Sequence, residues 1–216
     1  MIEEFEITTN RIPAALPADW NIAPTREIYV IRDFRDIGDD VSENRRELAT
    51  LSWGMIAPWS KDRSEAVRSQ SQAINARSES VHEKPTFKSA FRSNRCLLPA
   101  SGYYEWASEL GKYKTKQPIY VSRDDEKLLA FSGIFQSWTS PSGRVIQSVA
   151  IITRQAVGQL AQVHSRMPVF LPKERWQDWM NPKINDLDKI RALMDVPTPD
   201  ANLRFHPVSS AVNSIT

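Results

Sequence analysis

From residue 95 to residue 153 the chain is an almost unbroken series of short strand-like windows, and this constrains its fold more than any other feature. The windows are 95–99, 102–107, 113–121, 127–138 and 145–153, preceded by two more at 27–32 and 48–55. They are rich in β-branched and aromatic residues or alternate apolar with polar positions, and turn signals separate them. Ser140-Pro141-Ser142-Gly143 predicts a hairpin turn between the last two. Fourteen prolines spread through 216 residues favour many short elements over a few long ones. Helical signals are fewer. Pro85–Ser93, Gln155–Val163, Pro172–Met180 and Asn185–Met194 each space apolar residues for one buried face. The C-terminal FHPVSSAV reads as a short strand that breaks at Pro207. The sum predicts one α+β domain over residues 1–216, a curled, mostly antiparallel sheet with peripheral helices.

Composition narrows the setting. With 41% hydrophobic residues and no apolar run of about 18, nothing in the sequence reads as a membrane span. The N-terminus, MIEEFEITTN, lacks the basic and apolar regions of a signal peptide. One cysteine, Cys96, excludes an internal disulfide and a zinc framework, so a reducing cytoplasm is expected and no metal or other cofactor is. The net charge of +2 conceals a gradient. Residues 1–50 hold 11 acidic and 6 basic side chains, whereas residues 61–95 hold 8 basic and 4 acidic. Lys112, Lys114 and Lys116 form a second basic cluster. Such zones suit either a groove for a polyanion or a solvated face.

No phosphate-cradling glycine loop, HExxH or GxSxG occurs. What remains is a set of residues with usable chemistry. Glu105 sits between Tyr104 and Trp106; a carboxylate buried among aromatics resists ionisation and suits general acid–base work. Asn75, Arg77 and Glu79 alternate at strand spacing, which predicts one shared face. His164 can move a proton near neutral pH, although alone it reads better as a helix C-cap or a satisfied core histidine. Arg77 offers a phosphate fork, and Trp59 a surface on which an unpaired base can stack.

The ordered motifs NIAP, WGMIAPW, INARSE, RCLLPASGYYEW, HSRMPVFL and FHPVS, spanning Asn21 to Val208, resemble the SRAP family of abasic-site processing proteins. The resemblance implies a compact α+β domain around a β-barrel-like sheet that binds single-stranded or junction DNA at an abasic site. It implies catalytic roles for Asn75, Glu105 and His164, and DNA contacts from Trp59, Arg77, Lys84, Lys88 and Arg166. It further implies a covalent step. A cysteine following the initiator methionine forms a Schiff base with the sugar aldehyde through its α-amine, and its thiol closes a thiazolidine. A monomer without a cofactor is expected.

Two positions depart from the pattern. Ser165 stands where many members have Asp, and the chain begins Met1-Ile2-Glu3 rather than with Met-Cys. A short strand and the start of a helix that usually precede a segment like EEFEIT are also missing from it. Cys96, in an apolar run and without an adjacent α-amine, is a poor substitute nucleophile. Two explanations are open. In one, preferred here, the numbering starts at an internal methionine and the product begins upstream with Cys. In the other, the chain is a paralogue that binds single-stranded DNA without crosslinking.

Overall fold

The computed structural model describes residues 1–33, 45–108 and 111–214. Its centre is a closed ring of five strands. Strands β2 (Glu27–Asp33) and β3 (Arg46–Trp53) pair antiparallel, β2 pairs with β5 (Arg95–Ala100), β5 with β8 (Leu129–Thr139), and β8 with β9 (Val145–Gln155). A parallel contact, Ser52 to Ser148 and Trp53 to Val149, closes β3 onto β9. Short strands extend the ring: β1 (Thr9–Asn10) lies along β3, while β4 (Asn75–Arg77) and β10 (Arg166–Pro168) flank the far half of β9. A separate three-stranded sheet runs β11 (Leu203–Pro207), β7 (Pro118–Arg123), β6 (Gly102–Trp106). The α+β architecture with a curled sheet is thus as the strand windows indicated, and its closure into a barrel is as the family resemblance implied.

The strands bury both faces, as closure requires. Residues of one parity, among them Ile31, Leu48, Leu97, Ala130, Ile134 and Ala150, pack with Phe5 and with helices α2 (Lys88–Ser93), α3 (Trp176–Met180) and α4 (Leu187–Met194). Phe5 stacks on Trp176 with ring centroids 4.5 Å apart. Residues of the other parity, among them Val30, Ala49, Cys96, Leu98, Phe131 and Val149, pack against Tyr103, Phe170 and Leu203. Those three side chains also border the cluster of Ile119, Val121, Leu160, Val163 and Met167 beneath the small sheet. Ring and small sheet therefore share one apolar seam.

Several boundaries moved. The window at 113–121 becomes a strand only from Pro118, and β9 continues to Gln155, leaving a 3-10 turn at Leu160–Gln162 where a helix over 155–163 was expected. The expected helices at 85–93 and 172–180 begin late, at Lys88 and, after a 3-10 turn, at Trp176. Helix α1 (Arg63–Gln72) was not anticipated. It buries only Ala66 and Gln70, too little apolar surface for a periodic signal. Its capping residues did carry the message: Asp62 accepts from the Glu65 N–H, and Glu65 accepts from the Lys61 N–H. The 140–143 turn is as expected, with Gly143 at a φ of +82°.

Candidate functional site

Glu105 and His164 meet at the edge of the seam. Strand β6 can approach β7 because Gly102 has no side chain; a Cβ there would stand 2.4 Å from the Tyr120 ring. From that start the pleat sends Tyr103 and Glu105 to one face. Their partners across the sheet are Val121 and Ile119, both fully buried. Tyr103 fills the seam, edge-on to Phe131 at 5.8 Å. Glu105, two residues on, lies where the seam opens and keeps 26% of its side chain accessible. Beyond β6, the Ser108 N–H donates to the Val163 carbonyl at 3.0 Å, which sets His164 beside the strand.

His164 Nδ1 lies 3.8 Å from Glu105 Oε2, within ion-pair range but beyond a hydrogen bond. The Arg166 N–H donates to the same Nδ1 at 3.2 Å. In the neutral ring Nδ1 is therefore an acceptor and the proton sits on Nε2. Protonated, Nδ1 turns its charge toward Glu105 and the Arg166 carbonyl, 3.4 Å away. Burial raises the Glu105 pKa, opposed by a His164 cation and by the Trp106 N–H that Glu105 accepts at 3.1 Å. A carboxyl held above its usual range beside an imidazole can take a proton from one group and return it to another. The same burial pushes the Tyr103 phenol far above its ordinary value.

Asn75 and Arg77 occupy β4, where Ala76 between them is fully buried and both flanking side chains are exposed. Glu79, just past the strand, is exposed as well, so the three polar residues share the outward face. Arg77 registers with Thr153 of β9, and Thr153 registers on its other side with Pro168 of β10. Across this row Arg166 donates to both Glu79 oxygens, at 2.6 and 3.0 Å, and to the Thr153 carbonyl at 2.7 Å. The Asn75–Glu79 segment is thereby tied to the segment carrying His164.

Trp59, Lys84 and Lys88 belong to a different part of the surface. Trp59 is 56% exposed and lines an open cleft of about 430 Å³ with Lys61, Arg68 and Thr86. Lys84 and Lys88, two residues either side of Thr86, are both exposed; the basic residues that line the cleft itself are Lys61 and Arg68. Arg95, counted in the basic zone from sequence, does not belong to it. It is 1% exposed, and its guanidinium donates to the carbonyls of Phe91, Arg92, Trp179, Asn181 and Ile184. Cys96 is fully buried and its thiol is pushed up by that burial, which makes it a packing residue. Two further side chains tie down the segments around the site. Trp106 donates from Nε1 to Asn213 at 2.7 Å, and Thr153 anchors Arg166. A β-turn-rich sequence gives no sign of such pairings between segments far apart in the chain. Among the described residues, no group of three His, Cys, Asp or Glu side chains could hold a metal ion.

Residues 1–215 match the model of the SOS response associated peptidase family, SRAP. The chain belongs to this family. SRAP relatives include the abasic site processing protein YoqW of Bacillus subtilis, 35% identical over 214 residues, covering 99% of this chain and 89% of that one. The abasic site processing protein HMCES of Mus musculus is 28% identical, covering 94% of this chain and 64% of its own length. Among solved structures, a protein from Bordetella bronchiseptica aligns with a TM-score of 0.75 at 28% identity, over 96% of this chain and 94% of that one. A Bacteroides thetaiotaomicron protein shares the fold, with a TM-score of 0.72 at 23% identity over 86% and 75%. Among the described residues no helix is long and apolar enough to cross a membrane.

Proposed function

We propose that this protein processes abasic sites in DNA and binds the lesion in single-stranded or junction DNA, as the names of its relatives and the chemistry of its site suggest. The observation that carries the reading is the partly buried Glu105 set 3.8 Å from His164, with its pKa raised by burial. An abasic sugar is mostly a closed hemiacetal. Opening it requires a proton to leave the C1 hydroxyl while another reaches the ring oxygen, and a carboxyl–imidazole pair can manage both transfers. Asn75, exposed on β4, offers an amide to hold the freed oxygens, while Arg77 faces a phosphate. Trp59, with Lys84 and Lys88 near its cleft, receives the strand next to the lesion.

The covalent step needs a cysteine with a free α-amine. The amine adds to the aldehyde carbon, water leaves with a proton supplied through Glu105, and the thiol adds to the resulting imine carbon to close a thiazolidine. As the C–S bond forms, the thiol's S–H bond breaks and its proton passes to the imine nitrogen, so the ring closes with one water as the sole product released. A version of the protein carrying an N-terminal Cys should give a denaturation-resistant band with an abasic single strand. Glu105→Gln should slow its appearance by about 10²-fold, the scale of general acid–base catalysis. Absence of any band with Glu105 intact overturns the covalent reading.

A second reading rests on Cys96, the only cysteine in the sequence, which is fully buried. On that reading the chain from Met1 acts as a non-covalent single-strand binder. Its affinity then falls steeply with salt, drops in Trp59→Ala and is indifferent to Glu105→Ala.

A further inference from the structure

Arg166 was assigned to DNA, yet its fork is already filled. Both of its terminal nitrogens donate to Glu79, in the bidentate geometry with which a guanidinium also grips phosphate. We propose that Glu79 occupies, in the free protein, the place of a DNA phosphate on Arg166, and that strand binding exchanges this carboxylate for one phosphodiester. The proposal rests on the DNA-binding reading above and adds to it a residue that sets strand affinity.

Three features make the exchange feasible. The guanidinium does not depend on Glu79 for its position, because it also donates to the Thr153 carbonyl at 2.7 Å and to the Thr153 hydroxyl at 3.3 Å. When the carboxylate leaves, the fork stays aimed. Glu79 itself is 53% exposed, so it can swing without stripping a buried partner. It also has somewhere to go. It lines a cleft of about 560 Å³ together with Arg154 and Arg191, where Asp188, 4.0 Å from Arg191, and Asp195 also stand, which leaves Arg154 as the cation open to it. Arg154 lies next to Thr153 on β9, so a displaced Glu79 finds a second cation close to the first.

The incoming phosphate has a natural neighbour. Arg77 is exposed and registers with the same Thr153 from the opposite side of β9. Strands β4 and β10 thus lie on either side of β9: Arg77 registers with Thr153, and Arg166, in register with Gln155, reaches Thr153 through its guanidinium. Of the two, Arg166 alone is paired with a carboxylate among the described residues. The Glu79 carboxyl is held down to about 2, chiefly by its hydrogen bonds to Arg166, so it remains a charged competitor at any pH where DNA is studied. With Glu79 in place the pair is neutral and attracts no counterion-laden strand. Without it, the fork contributes a full positive charge.

The test is binding of a fluorescent, undamaged oligothymidylate to the wild type, Glu79→Gln and Glu79→Ala across a salt series, with thermal melting of each protein. The exchange predicts about two- to fivefold tighter binding in both variants, the scale of one exposed ion pair. It also predicts an unchanged slope of log affinity against log salt, because Arg166 neutralises the same phosphate in wild type and variants. A slope steeper by about 0.7 in the variants would mean that Glu79 blocks the fork rather than yields it, and overturns the exchange. Adding Arg166→Gln to Glu79→Gln should abolish the gain. Wild-type binding with no gain, or a loss, in folded variants overturns the exchange and leaves the DNA reading standing. Absence of binding by wild type and variants alike overturns both. A measurement on the wild type is independent of the variants' folding. The side-chain carboxyl carbon of Glu79, followed by NMR, should shift when the strand saturates the protein; an unmoved resonance contradicts the exchange.

Discussion

Two buried or half-buried charges, Arg95 in the five-stranded ring and Glu105 at the edge of the three-stranded sheet, show how differently the two halves of this protein treat a polar group. Arg95 is walled in and fully satisfied by five backbone carbonyls that end helices and turns around it. It needs no carboxylate and has no room for a ligand. Burial brings its pKa down to about 10, which still leaves it charged at neutral pH. Glu105 has one backbone donor, a histidine too far for a hydrogen bond, and an opening to solvent. The ring places its charge where nothing can change. The small sheet leaves its charge under-satisfied at a seam, where a reacting sugar could complete it. Arg95 and Glu105 thus stand at opposite ends of how completely a charge is satisfied.

The comparison breaks most sharply at Arg95. Arg95→Met should cost about 3–5 kcal/mol, because five carbonyls lose their donor in a dry site. Urea denaturation checks this, and a cost below about 1 kcal/mol would mean that the cluster rearranges freely. Next comes Trp59→Ala, which should weaken single-strand binding by about 1–3 kcal/mol, the worth of one stacked base. Fluorescence anisotropy reads the affinity, and the melting temperature should hardly move because Trp59 is mostly exposed. Cys96→Ala should cost about 1 kcal/mol of stability from lost packing alone. In the native wild type, a thiol reagent should label Cys96 only as fast as the ring opens.

The smallest effect is a slope. The folded-state pKa of Glu105 is raised above its unfolded value of about 4.3, so the folded state holds the proton more tightly. Its contribution is fully present below about pH 4 and is lost as pH rises through the folded pKa. Glu105→Gln should remove this loss, giving a flatter profile of stability against pH over that interval. Identical wild-type and variant profiles would place Glu105 in water rather than at a seam.

Much of this division was legible in the sequence, for identifiable reasons. The strand windows marked a curled sheet because β-branched and aromatic residues cluster where sheets bury both faces; its closure into a ring was legible only through the family resemblance. Trp176 and Trp179 marked α3 by their spacing, and both are buried. Glu105 stood out because a carboxylate flanked by aromatics is chemically unusual. What stayed hidden depends on contacts between distant segments. Nothing in the string distinguishes Arg95, which disappears into the core, from Arg92, which stays exposed three residues earlier. The Glu79–Arg166 pair joins positions 87 residues apart, and only the register of β4, β9 and β10 brings them together. Helix α1 was missed because it stands on its caps rather than on an apolar stripe.

The central claim is that the Glu105–His164 pair acts on the abasic sugar. Its most direct test is the affinity of the wild type and of Glu105→Gln/His164→Ala for two single strands, identical except for one abasic site. The account predicts that the wild type prefers the abasic strand, and that the double variant loses the preference while holding the intact strand as before. Equal affinities in the wild type, or a preference that survives in the double variant, would contradict it.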